Sequence, residues 1–291
     1  GLAAGFFNID IDTSTLVDLS FPTLDQQQRE NYQRAAELTA YVRDQQPEKV
    51  TVSVGGEIGE VGGKNSTVEE LQAYMDGYNR SLKKLGKHYV GLSKISVQTG
   101  TSHGGVPLPD GSIARVKVDF DALEALSRLA REQYGLAGAV QHGATTLPAE
   151  LFDKFPMLGA CEIHLATDFQ SMIFDHPSFP PELKGEIYER LRVVAADERK
   201  AGDTDEQFFY KTRKKAIGLY KRELWGMPAT AREAIGRALE ERFRLLLHRL
   251  RAGRTRAVAE RYAPFVPGSF PATGAPAAAG RTPEDVTGLS D

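Results

Sequence analysis

Apolar and polar residues alternate with a period of two at the start of the chain, Phe6-Phe7-Asn8-Ile9-Asp10-Ile11-Asp12, which predicts a strand. A helix is expected over residues 24–44, with apolar positions at Ala35, Leu38, Ala40, Tyr41 and Val42. The alternation then repeats. Val50-Thr51-Val52-Ser53-Val54 reads as a strand ending in Gly55-Gly56-Glu57, and Ser66 or Thr67 is placed to cap a helix running toward Leu85. A third strand near residues 90–97 leads into Gln98-Thr99-Gly100-Thr101-Ser102-His103-Gly104-Gly105, and residues 119–134 read as helix. A fourth strand, 137–140, ends in Gln141-His142-Gly143 and precedes a short helix near 148–155. A fifth, 160–165, ends in Ala166-Thr167-Asp168.

Strands alternating with helices imply a parallel sheet with helical crossovers. Each strand ends in small and polar residues: Asp12-Thr13-Ser14, Gly56-Glu57, Ser102-His103, His142-Gly143 and Thr167-Asp168. A (β/α)8 barrel and a doubly wound open sheet both build their sites at such ends. Neither a G-x-G-x-x-G fingerprint nor a P-loop is present, which weighs against the open sheet. Beyond Asp168 the pattern is mainly helical. Pro180-Pro181 punctuates it, and helices are predicted over 182–195, 206–224 and 229–250, the last amphipathic through Ile235, Leu239, Phe243, Leu246 and Leu250. After Tyr262 the residues turn to Pro, Gly, Ala and Ser, so 263–291 is expected to be a disordered tail behind a folded unit spanning 1–262.

Composition narrows the partners. The 36 Lys and Arg against 39 Asp and Glu leave a net charge of −3 over 291 residues. A chain so charged is not drawn to nucleic acid or to a membrane surface. No apolar run approaches the ~20 residues that span a bilayer. The single cysteine, Cys161, permits no internal disulfide, fits a cytoplasmic setting, and is expected to be a buried, inert thiol in mid-strand. The chain starts at Gly1 and enters a strand almost at once, as a piece of a longer protein would.

Three strand ends offer metal-type ligands: Glu57, His103 and His142. Two neutral imidazoles and a carboxylate suit Zn²⁺ or another first-row divalent ion. The loops after His142 and Leu165 offer backbone N–H groups and hydroxyls, and the corresponding loops of barrel enzymes often hold phosphate. Asp10 and Asp12 share a face that a barrel strand turns inward; two buried carboxylates need partners, and Asp12, at the strand end, is the better site candidate. The basic run Arg213-Lys214-Lys215 is read as a solvated helix face, as are Arg249, Arg251, Arg254, Arg256 and Arg261.

Four segments, in order, resemble the class II, metal-dependent ketose-bisphosphate aldolases: residues 54–63 (Val-Gly-Gly-Glu-Ile-Gly-Glu-Val-Gly-Gly), Gly100-Thr101-Ser102-His103-Gly104, Gln141-His142-Gly143-Ala144-Thr145, and Ile163-His164-Leu165-Ala166-Thr167-Asp168. The resemblance implies an α/β (β/α)8 TIM barrel, of which this chain would hold the last five β/α units followed by C-terminal helices. It implies Zn²⁺, a cytoplasmic homodimer, and reversible cleavage of a phosphorylated ketose such as fructose 1,6-bisphosphate to dihydroxyacetone phosphate and an aldehyde. By the same resemblance His103 and His142 match metal ligands and Glu57 a carboxylate near the metal. Gly104, Gly143, Thr145, Thr167 and Asp168 match substrate and phosphate loops, and His164 stands where the family has an asparagine. The family's first metal histidine and its acid/base aspartate would precede Gly1, so no acid/base residue is assigned. Glu60, Glu69 and Glu70 are the candidates to replace the family's loop glutamate, each read in the first place as a solvated surface charge, and Thr145-Thr146 replaces a serine-glycine pair. The rival expectation is a non-catalytic remnant or sugar-phosphate-binding subunit that lacks the first metal histidine.

Overall fold

The computed structural model describes residues 1–48, 50–59, 64–86, 88–101, 108 and 117–263. Five parallel strands lie side by side in sequence order: β1 (Asn8–Ile11), β2 (Ser53–Glu57), β3 (Lys94–Val97), β4 (Ala139–Gln141) and β5 (Glu162–Ile163). Asp10 stands opposite Gly55, Gly55 opposite Lys94, and Val140 opposite Glu162. At ~4.8 Å between neighbours, a flat sheet would hold β1 and β5 about 19 Å apart. Instead Asn8 Nδ2 on β1 lies 3.3 Å from both carboxylate oxygens of Glu162 on β5. The sheet is therefore strongly curled into a half-barrel.

The period-two pattern sorts residues between its faces. Ile9, Ile11, Val54, Ile95, Val97 and Ile163 belong to the apolar core under the crossover helices α1 (Leu24–Gln45), α2 (Val68–Lys84) and α3 (Phe120–Glu132). These helices start where side chains can satisfy their first N–H groups. Thr23 Oγ1 accepts from Gln26 N, and Asp119 Oδ1 accepts from Ala122 N. Thr67 and Glu70 form a reciprocal capping box at 3.2 and 2.8 Å. α1 and α2 pack closely because Gly77 faces Tyr32: a Cβ there would sit 2.3 Å from the ring.

β2 begins at Ser53 and β3 at Lys94, three or four residues later than the apolar pattern predicts. The cause is Arg43. Its nearly buried guanidinium donates to the carbonyls of Val52, Val90 and Gly91 at 2.6, 2.7 and 2.9 Å, taking acceptors a longer ladder would have used. Cys161 is exposed, against the expectation of a buried thiol, because it lies just ahead of β5 at the sheet's edge. Its thiol still donates to Ala139 O, and desolvation followed by the Glu162 charge pushes it up to about 11.

A second apolar cluster forms among the later helices, from Phe174, Phe179, Ile187, Leu191, Phe208, Phe209, Tyr220 and Ile235. After the short α4 (Lys154–Met157), the later helices are α5 (Thr167–Phe174), α6 (Pro181–Val194), α7 (Asp205–Thr212), α8 (Ala216–Leu219), α9 (Lys221–Trp225), α10 (Ala229–Arg249) and α11 (Arg256–Tyr262). A single helix was expected over 206–224; the chain instead breaks at a 3₁₀ turn, Arg213–Lys215. Thr212 Oγ1 bonds back to Phe208 O, and Arg213 turns inward, 4% exposed, to bond Asp175 at 2.9 Å and Ser171 at 2.6 Å. The basic run is thus no solvated face at Arg213, and Lys215 pairs with Glu198. Of the expected tail, 263–291, all but Ala263 lies outside the described residues. Among the described residues no helix is long and apolar enough to cross a membrane.

Candidate active site

The carboxyl ends of the strands are braced from outside by polar groups of α1. Asn31 Nδ2 donates to Glu57 O at 2.8 Å, Gln28 Nε2 donates to Ile58 O at 2.8 Å, and Thr13 Oγ1 donates to Asn31 Oδ1 at 2.7 Å. Asp12 closes the turn after β1 by accepting from the backbone N and hydroxyl of Ser14. Glu57, at the end of β2, is 5% exposed, and its Oε1 accepts from Gln98 Nε2 at 3.1 Å. Burial first, then the nearby charges of Asp12 and Asp10, push its carboxyl up to about 8.

His142 follows β4 directly. Its Nε2 is 3.1 Å from Ser96 Oγ, and its carbonyl accepts from Thr101 Oγ1 at 2.8 Å. Its ring packs on that of His164, centroids 4.4 Å apart. Gly143 has φ +67°, a left-handed conformation that favours glycine, so the chain turns sharply as it leaves the strand. Thr145 is buried, and its Oγ1 accepts from Ala166 N, tying the loop after β4 to the start of α5. Thr167 opens α5. Asp168 follows in its first turn, and its Oδ2 accepts from Arg242 Nε of α10 at 2.7 Å. His103 and Gly104 lie outside the described residues.

The curl gathers a further group on the concave face. Lys94, 2% exposed, reaches Asp10 Oδ1 at 3.0 Å and Glu162 Oε1 at 2.5 Å. His164 Nε2 is 2.7 Å from the same Glu162 oxygen and 3.4 Å from Asp10 Oδ2. Burial raises the Glu162 carboxyl, but hydrogen bonds from His164 and Lys94 outweigh it and hold the group at about 2. Of this group the sequence reading had singled out His164 and, less firmly, Asp10, but neither Lys94 nor Glu162. Their signal was present: Lys94 is a charge inside an apolar strand, and Glu162 lies two residues before His164, hence on the same face.

Asp10, Glu162 and His164 bring one ligand atom each to within 4.8 Å of one another, the spacing of a metal triad. The Lys94 ammonium already holds both carboxylates, so this cluster does not fit a metal ion. At the strand ends His142 supplies an imidazole and Glu57 a carboxylate that burial and the charges of Asp12 and Asp10 hold toward its neutral form; both are donor types that a first-row divalent ion accepts.

A curled parallel sheet with helical crossovers and polar strand ends is consistent with part of a TIM-like α/β barrel. The family model for class-II fructose-bisphosphate aldolases matches residues 9–246, and the chain belongs to that family. Among curated proteins no match is found. Similar solved structures include the YdjI aldolase of Escherichia coli K12, at 12% identity and TM-score 0.36, covering 78% of this chain and 62% of that one. A fructose-bisphosphate aldolase of Campylobacter jejuni shares 17% identity at TM-score 0.41, covering 82% and 60%. A protein of Sinorhizobium meliloti described as a probable tagatose 6 phosphate kinase shares 16% identity at TM-score 0.49, covering 85% and 71%. The chain thus spans about three fifths of the two aldolases named. The family assignment rests on the match over 9–246.

Proposed function

We propose that this chain carries the carboxyl-terminal five β/α units of a zinc-dependent aldolase, a cytoplasmic homodimer whose complete barrel has eight. Its reaction is the reversible cleavage of a phosphorylated ketose, such as fructose 1,6-bisphosphate, to dihydroxyacetone phosphate and an aldehyde. The observation that carries the reading is the match over residues 9–246, with His142 and Glu57 at strand ends of one sheet. His103 and His142 would hold the metal, with Glu57 beside it. When bound, the ion supplies a Lewis acid that stabilises negative charge on the carbonyl oxygen as the carbon–carbon bond breaks.

The chain's own residues do the rest. Gly143 and Thr145, joined to the start of α5 through Ala166 N, would meet a phosphate with N–H groups and a hydroxyl together with Thr167, and the resemblance assigns Gly104 the same role. Asp168 stabilises the first turn of α5 and is itself held by Arg242. His164, its ring packed on that of His142, would meet a substrate oxygen where the family has an asparagine. Ser96 and Thr101 fix His142 through its Nε2 and its carbonyl. The test is retro-aldol activity of the complete eight-unit protein, with coupled detection of dihydroxyacetone phosphate. A chelator abolishes it, Zn²⁺ restores it, and His142→Ala removes it. Activity indifferent to both chelator and His142→Ala would overturn the reading.

A further inference from the structure

We propose that Lys94 is the resident cation of the half-barrel's inner layer, standing where a divalent metal would otherwise bind among Asp10, Glu162 and His164. In barrels of this architecture an inward layer is filled by side chains from alternate strands. Here β1, β3 and β5 contribute Asp10, Lys94 and Glu162, and His164 adds its imidazole two residues beyond Glu162. Two carboxylates and an imidazole, with ligand atoms within 4.8 Å, make a donor set suited to Zn²⁺, Co²⁺ or Mn²⁺. A metal on Glu162 Oε1 would sit ~2.0–2.2 Å from that oxygen. Lys94 Nζ lies 2.5 Å from the same oxygen and 3.0 Å from Asp10. The two cations compete for the same lone pairs, and like charges cannot share the space.

An independent feature shows that the cluster is built for the lysine. Gly55 lies on β2 between Asp10 and Lys94 in the register of the sheet. Its backbone is not left-handed, so turn geometry does not demand glycine. A Cβ at this position would lie 2.0 Å from Asp10 Oδ1 and 3.0 Å from Lys94 Cε. The missing side chain is the gap through which β1 and β3 join their charges over β2. The arrangement confines metal binding to the His142 end of the strands and makes the inner triad a latent site, open only when the ammonium leaves.

The inference does not require the chain to be an aldolase, and its test reads metal binding rather than turnover. The full chain is stripped of metal and titrated with Co²⁺, following the ligand-field absorption and the heat released. For the wild-type residues, Glu162→Gln is expected to leave stoichiometry and affinity unchanged. Lys94→Met is expected to gain one Co²⁺ per chain, lost again in the Lys94→Met, Glu162→Gln double variant. A Co²⁺ site that Glu162→Gln removes while Lys94 is in place overturns the proposal. So does a folded Lys94→Met protein that gains no site. If Lys94→Met does not fold, the comparison of wild type with Glu162→Gln decides alone.

Discussion

Glu57→Gln should make the protein more stable at neutral pH while leaving its stability in mild acid almost unchanged. Glu57 is 5% exposed, accepts one hydrogen bond from Gln98, and feels the charges of Asp12 and Asp10, so its carboxyl rises from 4.5 to about 8. A group raised on folding binds its proton more tightly in the native state. Its contribution is therefore fully present below about pH 4.5 and is lost as the pH climbs through 8. Inside that window each pH unit removes about 1.4 kcal/mol, so about 3 kcal/mol is gone by pH 7. The amide is neutral throughout, keeps the acceptor that Gln98 uses, and adds a donor beside the buried, unpartnered Oε1 of Gln98. The assay is urea unfolding by circular dichroism between pH 5 and pH 8.5 in EDTA, with wild type and variant paired at each pH. The difference between the two curves cancels every other titrating group. It should stay under about 1 kcal/mol at pH 5 and reach about 3 kcal/mol by pH 7. Parallel curves, or a gap that widens toward acid, would refute the assignment of a buried, protonated Glu57.

Gly55→Ala should destabilise by about 1–3 kcal/mol, because its Cβ overlaps Asp10 and forces the ion pair apart; the urea midpoint reads it. Thr67→Ala removes half of the capping box of α2 and should cost about 1 kcal/mol, with no change in the slope of the unfolding curve. Asp175→Asn should lower stability by about 2 kcal/mol by leaving the Arg213 guanidinium buried without its counter-charge, measurable as a lower Tm. All three substitutions lie outside the proposed metal and phosphate residues.

The strands were legible because their outward positions, such as Ile9 and Ile11 or Ile95 and Val97, must be apolar to cover one core. The cap at Thr67 was legible because it is chemistry between residues three apart. What stayed hidden depends on curvature and on distance along the chain. Lys94 finds Glu162 only because the sheet curls, and it finds Asp10 only because Gly55 has no side chain. The resemblance matches Asp168 to a substrate loop, while its Arg242 partner, 74 positions later, lies beyond the reach of any local pattern. The broken helix after Thr212 has the same origin: the apolar pattern runs on smoothly, and the pull on Arg213 comes from Asp175. At the candidate site the strand ends holding Glu57 and His142 followed from the alternation, whereas the ring contact of His142 with His164 needed the closeness of β4 and β5.

α10 has a mechanical consequence. Its 21 residues form a rod of about 30 Å. Ile235, near one end, is embedded in the helical cluster, and Leu246, near the other, in the core beneath the sheet. Between them Arg242 grips Asp168, and Phe243 stacks on Phe169, both in the first turn of α5. A rod anchored at both ends and clamped in the middle is a lever with its fulcrum on that turn. Any tilt of the helical lobe is delivered as a displacement of the N–H groups that open α5, beside the loop that carries Thr145.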